Sequence, residues 1–306
     1  MHTVDHASFA GTAAPRDPKA SKAPALYAAS LSDLRKAYPS RWCRLGHHLA
    51  GHPLLTLPAL AELVRRLPEH SIEFNATLDL PLGIKPEDTP QTGLDVHQTL
   101  AQIATAGSWV LLKTVNQDPA YGSLMREVLE EIAPLVKRQT GEMLRLEAFV
   151  FISSPGACTP LHFDPDYNIL FQTQGTKRFT GFPTAHPEII GDAFFETYFG
   201  GGPRNLPWRE EWAELGCAYD LAPGEALYVP ILTPHHVTVY DEVSISLSLT
   251  WRSHWSFRHA DAHRFNARMR RVGLQPSSPR LYPEDNRLKA YSERAMARLD
   301  RLFGRA

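Results

Sequence analysis

Three cysteines (Cys43, Cys158 and Cys217) in 306 residues, none within a CxxC pair, leave no basis for a disulfide framework or a zinc ribbon. They read as free thiols of a reducing compartment. Long apolar runs are also missing: stretches such as Trp109-Val110-Leu111-Leu112 are far too short to span a bilayer. Charge is nearly balanced, with 32 basic against 33 acidic side chains. No global field therefore draws the chain to nucleic acid or an anionic membrane. Residues 1–25 lack the apolar centre of a secretory signal and are expected to be a disordered leader. Together these shortages suggest a cytoplasmic protein.

What is present divides into three textures. Residues 26–140 are mixed α/β. Thr56 before Leu57-Pro58 predicts a capped helix running to Leu67, and Leu94–Ala106 and Tyr121–Arg138 also read as helices. In the last of these, Leu124, Val128, Ile132 and Leu135 share one face. Trp109–Val115 is a strand candidate. From 141 to 256 short apolar runs alternate with Gly, Pro and Asp: Leu144–Ser153, Asn168–Thr173, Arg178–Phe182, Ala218–Leu221, Ala226–Val229, His236–Tyr240 and Val243–Trp251. That spacing predicts a β-sandwich or barrel, interrupted by an insert at about His186–Trp212. Residues 257–306 turn helical and basic, with twelve Arg or Lys against five acids.

Chemistry concentrates in Thr159-Pro160-Leu161-His162-Phe163-Asp164. Side chains two apart on a strand share a face, so His162 and Asp164 are expected to project together into a barrel. A facial triad needs one more imidazole and leaves three positions open on Fe(II). His235 or the adjacent His236, after Leu227-Tyr228-Val229-Pro230, can supply it from a later strand. Lys177 follows the turn residue Gly175. A lysine buried in such a barrel needs an anion, and the distal carboxylate of 2-oxoglutarate suits it. Thr159 could donate to the same carboxylate, and Asn168 could add a polar contact near the metal. Cys158 reads as structural. The histidines at 47, 48, 52, 186, 254, 259 and 263 show no paired spacing with a credible partner and read mostly as solvent-facing.

At these residues the chain resembles the JmjC/cupin-like family of Fe(II)- and 2-oxoglutarate-dependent oxygenases. Its layout is similar to that of the asparaginyl hydroxylase acting on hypoxia-inducible factor and of bacterial cupin-like JmjC proteins. The family's T-P-x-H-x-D stretch matches Thr159, Pro160, His162 and Asp164. Its N-F-x-x-Q-x-x-G-x-K stretch resembles Asn168 to Lys177, and its glycine-to-histidine stretch resembles Gly224 to His235, which selects His235 over His236. Its closing strand resembles Ser244–Trp251. Thr233-Pro234 departs from the usual aromatic pair, which predicts a looser wall before the distal histidine.

The resemblance implies a mainly β fold with flanking helices. Its core at 141–256 would be a double-stranded β-helix (jelly-roll or cupin), with a helical N-terminal region packed on it and C-terminal helices after it. It implies Fe(II) on His162, Asp164 and His235, with 2-oxoglutarate held by Lys177, Thr159 and Asn168. The implied reaction hydroxylates a protein or peptide side chain and releases succinate and CO2. A small-molecule hydroxylase, or a non-catalytic cupin-like metal-binding or regulatory protein, stands as the alternative. It also implies a homodimer through the C-terminal helices, in preference to a nucleic-acid surface there, and no membrane partner.

Overall fold

The computed structural model describes residues 24–77, 80–184 and 188–304. Most of the expected leader, and His186 of the insert, lie outside them. In chain order the described elements begin with α1 (Ala28–Ala37), β1 (Cys43–Gly46), α2 (Leu57–Val64), β2 (Ile72–Ala76), α3 (Val96–Ala101), β3 (Ser108–Leu112) and α4 (Pro119–Thr140). The strands β4 (Leu144–Ser153), β5 (Cys158–His162), β6 (Tyr167–Gln174) and β7 (Lys177–Gly181) follow. After α5 (Asp192–Phe199) come β8 (Cys217–Leu221), β9 (Glu225–Val229), β10 (His235–Val239) and β11 (Ser244–Arg252), then α6 (His254–Arg271) and α7 (Arg287–Leu302).

Local chemistry explains most helix starts. The Thr56 hydroxyl accepts from Ala59 N, Asp118 caps α4 with Pro119 at its first position, and Asp95 and Gln98 form a capping box on α3. Leu124, Val128 and Ile132 of α4 are buried, as their spacing predicts.

Strands β4 to β11 form the double-stranded β-helix. The larger sheet runs β1-β9-β6-β11-β4-β3-β2 and the smaller β5-β10-β7-β8, all pairs antiparallel. Removing β1, β2 and β3 leaves four strands facing four, with the chain crossing between sheets at nearly every turn. The larger sheet's outer face (Tyr167, Ile169, Phe171, Tyr228, Leu247, Leu249, Trp251) joins α2, α3 and α4 in the main core. Between the sheets lies a smaller apolar cluster of Leu170, Phe179, Leu221, Leu227 and Val229. On the larger sheet, period-two alternation therefore assigns strand residues to the helix-packed core or the barrel interior.

The structure adds elements to the sequence expectations and corrects the one about histidine exposure. Strands β1 and β2 and helices α1 and α5 went unread, because each is a short or edge element whose pattern is set by what covers it. His47, His259 and His263 are 1–2% exposed, not solvent-facing. The basic residues after 257 tie the helices together: Arg258 pairs with Asp285 and Arg268 with Glu293 and Asp300, acids of the same stretch, while Arg270 reaches Glu196 of α5. Leu288, Tyr291, Leu299 and Leu302 of α7 stay exposed. No helix among the described residues is long and apolar enough to cross a membrane.

Candidate metal centre

His162 closes β5 and His235 opens β10, and the antiparallel register sets them opposite each other. Their rings lie 4.2 Å apart between centroids. Asp164 is two residues past the end of β5, so the ladder does not hold it as the alternation rule supposed. It is held instead by Leu232 N, which donates to its backbone carbonyl at 2.8 Å. Leu232 reaches that position at φ +60°, a strained conformation for a branched residue.

The imidazoles are aimed from behind. Nδ1 of His162 lies 2.8 Å from the Pro160 carbonyl, and Nδ1 of His235 2.9 Å from that of Thr233. A carbonyl only accepts, so each Nδ1 carries the proton and each Nε2 keeps its lone pair. Those lone pairs face Asp164 Oδ2, at 3.9 Å from His162 and 3.6 Å from His235. One donor atom from each residue lies within 4.8 Å of the others. Burial lowers both histidines below their ordinary value and keeps them neutral. Burial alone would raise the Asp164 carboxyl, but Arg204, donating to Oδ1 at 2.6 Å, helps hold it below the usual carboxylate range. Three lone-pair donors turned toward one point, two neutral and one anionic, is an arrangement that a divalent cation stabilises, and the types fit the 2-His-1-carboxylate set.

His236 points away, toward Phe182 and Trp208, as strand alternation requires. Phe179 stacks on His235 at 4.6 Å. The wall expected to be loose is tight: Thr233 is fully buried, donates to the Pro230 carbonyl at 2.8 Å, and orients His235 through its own carbonyl.

Lys177 lies on the same inner face, opposite Val239 and four residues along β10 from His235. That is roughly 13 Å of strand, part of which the lysine's four-carbon arm covers. The Gly175 turn before it is obligatory: φ is +64°, and a Cβ would meet the Val243 carbonyl at 2.4 Å. Lys177 is 3% exposed, and burial lowers its ammonium to about 7. Among the described residues it has no hydrogen-bond or ion-pair partner. Such a cation is costly to bury alone, so this end of the barrel suits a carboxylate.

Thr159 shows what a bulge accomplishes. On a regular strand, residues 159 and 162 would face opposite ways. The register slips between the His235–His162 and Val237–Thr159 pairs, so both face inward. Asn168 also faces the interior, but its carbonyl oxygen already accepts from Ser248 at 2.8 Å. Cys158 points outward, its thiol pushed up to about 11 by burial, as an inert cysteine would be.

Two features escaped the sequence reading. Arg204 sits in the insert, where no motif marks it. Beside Asp164, a polar cavity of about 450 Å³ is lined by Arg145, Glu147, Asp166, Tyr198, Arg252 and Arg264. Burial pushes the Asp166 carboxyl up to about 6 despite Arg252 at 3.4 Å. These residues come from five separate segments, a convergence that no local pattern encodes.

No family model and no curated protein matches the chain. Solved structures that do match include YcfD, a ribosomal oxygenase from Escherichia coli, in complex with cobalt and 2-oxoglutarate. That pair is 17% identical with a TM-score of 0.45, covering 88% of this chain and 66% of the other. A second structure of YcfD gives 16%, 0.47, 88% and 67%. DMSP lyase DddQ from Ruegeria pomeroyi DSS-3 gives 23% identity and a TM-score of 0.23 over 36% and 39%. The chain thus spans about two thirds of the length of the YcfD chains.

Proposed function

We propose that this chain is an Fe(II)- and 2-oxoglutarate-dependent oxygenase that hydroxylates a protein or peptide side chain, releasing succinate and CO2. The observation that carries the reading is the pairing of two features on one inner face. His162, Asp164 and His235 converge as a 2-His-1-carboxylate set at one end, and the buried Lys177, without a partner among the described residues, sits along the same strands from them. A metal-only cupin leaves that lysine unexplained; a five-carbon dicarboxylate reaching from metal to ammonium explains both.

Bound there, Fe(II) with 2-oxoglutarate supplies oxidative chemistry that couples decarboxylation of the cosubstrate to hydroxylation of a carbon. The chain's residues bind, orient and exclude. The Pro160 and Thr233 carbonyls hold the two imidazoles in the ligating tautomer. Lys177, with Thr159 on the inward side of the bulge, receives the distal carboxylate. Leu170, Phe179, Leu227 and Val229 keep water from that end of the barrel. The charged cavity beside Asp164 admits the substrate, whose polar or charged group its arginines and carboxylates orient.

The test is an anaerobic titration of purified apoprotein with Fe(II) and then 2-oxoglutarate, followed by the visible metal-to-ligand charge-transfer band. A saturable band that disappears in His162→Ala is expected. A metal-loaded wild-type protein that develops no band on adding 2-oxoglutarate would remove the oxygenase assignment and leave a binding or structural cupin.

A further inference from the structure

We propose that Arg204 is a positioning residue that keeps Asp164 a one-oxygen ligand, and that segment 204–206 pairs with β5 in order to deliver it. This rests on the metal-centre reading above. A carboxylate can offer a cation one oxygen or both. Asp164 stands past the end of β5, so no strand pairing decides which. Its two oxygens have different surroundings. Oδ2 faces the Nε2 atoms of His235 and His162 at 3.6 and 3.9 Å, whereas Oδ1 accepts from Arg204 Nη1 at 2.6 Å. A charge-assisted bond that short commits Oδ1 to the arginine and leaves Oδ2 for the metal.

The consequence concerns the count of open positions. A triad of three single donors leaves three positions of an octahedral ion free, two for the chelating cosubstrate and one for dioxygen. A chelating Asp164 would take one of those.

The arginine's position is built. β5 is the edge of the smaller sheet, and segment 204–206 lies along its free side. Leu206 N donates to the Leu161 carbonyl at 2.9 Å and Phe163 N to the Arg204 carbonyl at 3.4 Å, with His162 and Asn205 bridged between them. Asn205 Nδ2 donates to the Ile84 carbonyl at 3.3 Å, anchoring the segment on its far side. The backbone register that covers the edge of the ligand strand thus sets the guanidinium against the ligand carboxylate. A surface ion pair of ordinary kind contributes little; this one has a distinct task because its acceptor carries a second oxygen committed elsewhere.

Mn(II), which tolerates air, is the probe. Full-length wild type, Arg204→Gln and Arg204→Lys would be compared for Mn(II) affinity, water-proton relaxivity of the bound ion, 2-oxoglutarate affinity and melting of the apoprotein. In Arg204→Gln the apoprotein should melt as wild type. Bound-ion relaxivity should fall by about a third as one of three open positions is taken by Oδ1. Cosubstrate affinity should drop about 10- to 100-fold, the usual consequence of losing a group that orients a ligand. Arg204→Lys should recover most of both. Unchanged relaxivity and cosubstrate affinity in Arg204→Gln would overturn the proposal while the metal centre stands. A lower melting temperature with loss of Mn(II), unrescued by lysine, would overturn it as well and reduce Arg204 to a structural role. Wild type failing to bind Mn(II) would instead refute the metal-centre reading beneath it.

Discussion

Among the described residues two pairs of histidines are buried to similar depth, and one pair faces a carboxylate. His162 and His235 are 7% and 3% exposed, His259 and His263 both 2%. In each pair the rings are close, with centroids 4.2 and 4.9 Å apart. The difference lies in what each Nδ1 meets. In the barrel, backbone carbonyls take both Nδ1 protons, leaving both Nε2 lone pairs directed at Asp164. Between α6 and its neighbours, Nε2 of His259 and Nε2 of His263 lie 3.3 Å apart, so one donates to the other, and His263 Nδ1 has no partner. Burial alone says nothing about a ligand; the second nitrogen's partner decides whether the first is free.

The polar groups between the sheets repeat the contrast. On the larger sheet Gln172 bonds Ser244 and Ser246, and Asn168 bonds Ser248, a network that closes on itself. On the smaller sheet His162, His235 and Lys177 point inward without such closure.

The sharpest way to break the comparison is to mutate one member of each pair. In a Co(II) titration, His235→Ala is expected to abolish binding, and His263→Gln to leave it at the wild-type level. Binding that survives the first change or vanishes in the second would mean that the pairs have been assigned the wrong way round. Next in size is Lys177→Met. Removing the partner of a buried carboxylate costs about 3–5 kcal/mol, so 2-oxoglutarate affinity should fall roughly 10²- to 10⁴-fold by calorimetry on the metal-loaded protein. The same change should stabilise the apoprotein, because it removes a lone buried cation. In wild type the ammonium's value of about 7 means that cosubstrate affinity should weaken as pH rises above 7. A flat profile together with unchanged affinity in Lys177→Met would leave the lysine without its assigned role.

The smallest effect belongs to the closed pair. Burial lowers His259 from 6.5 to about 4. A histidine with a depressed folded value contributes stability that is complete above about 6.5 and lost as pH falls toward 4. That one group predicts roughly 3 kcal/mol of acid destabilisation, read from denaturation midpoints between pH 7 and 4. His259→Gln should flatten the slope over that window; an unaltered slope would show that other groups carry it.

Much of the barrel was legible in advance. Ser244–Trp251 alternates strictly and became β11, Leu144–Ser153 became β4, and the other expected barrel strands moved by about a residue. β5 had no expected bounds and stops short of Asp164, and Trp109–Val115 ends at Leu112 as β3. The HxD pair could be singled out by its two-residue spacing and Lys177 by its place just after the turn at Gly175, both of which are local. Strand alternation says only that His235 and His236 face opposite ways; the resemblance of Gly224 to His235 to the family's glycine-to-histidine stretch chose His235, and the register with His162 sets it inward. Thr159 could not be placed by such a rule, since its inward direction depends on a bulge that exists only when β5 pairs with β10. The buried histidines of α6 were misjudged because their cover comes from Phe195, Phe199 and Asn286, distant in sequence.

The sequence by itself determined the alternating strands, the turn glycines and the residue types able to bind a cation and a carboxylate, because these follow from local sterics and from period two. Only the tertiary structure decided which nitrogen each histidine presents, that Lys177 lacks a partner among the described residues, and that Arg204 meets Asp164 across 40 residues of chain. Those outcomes depend on which backbone carbonyls and side chains converge once two sheets close on each other, and no local interaction encodes that convergence.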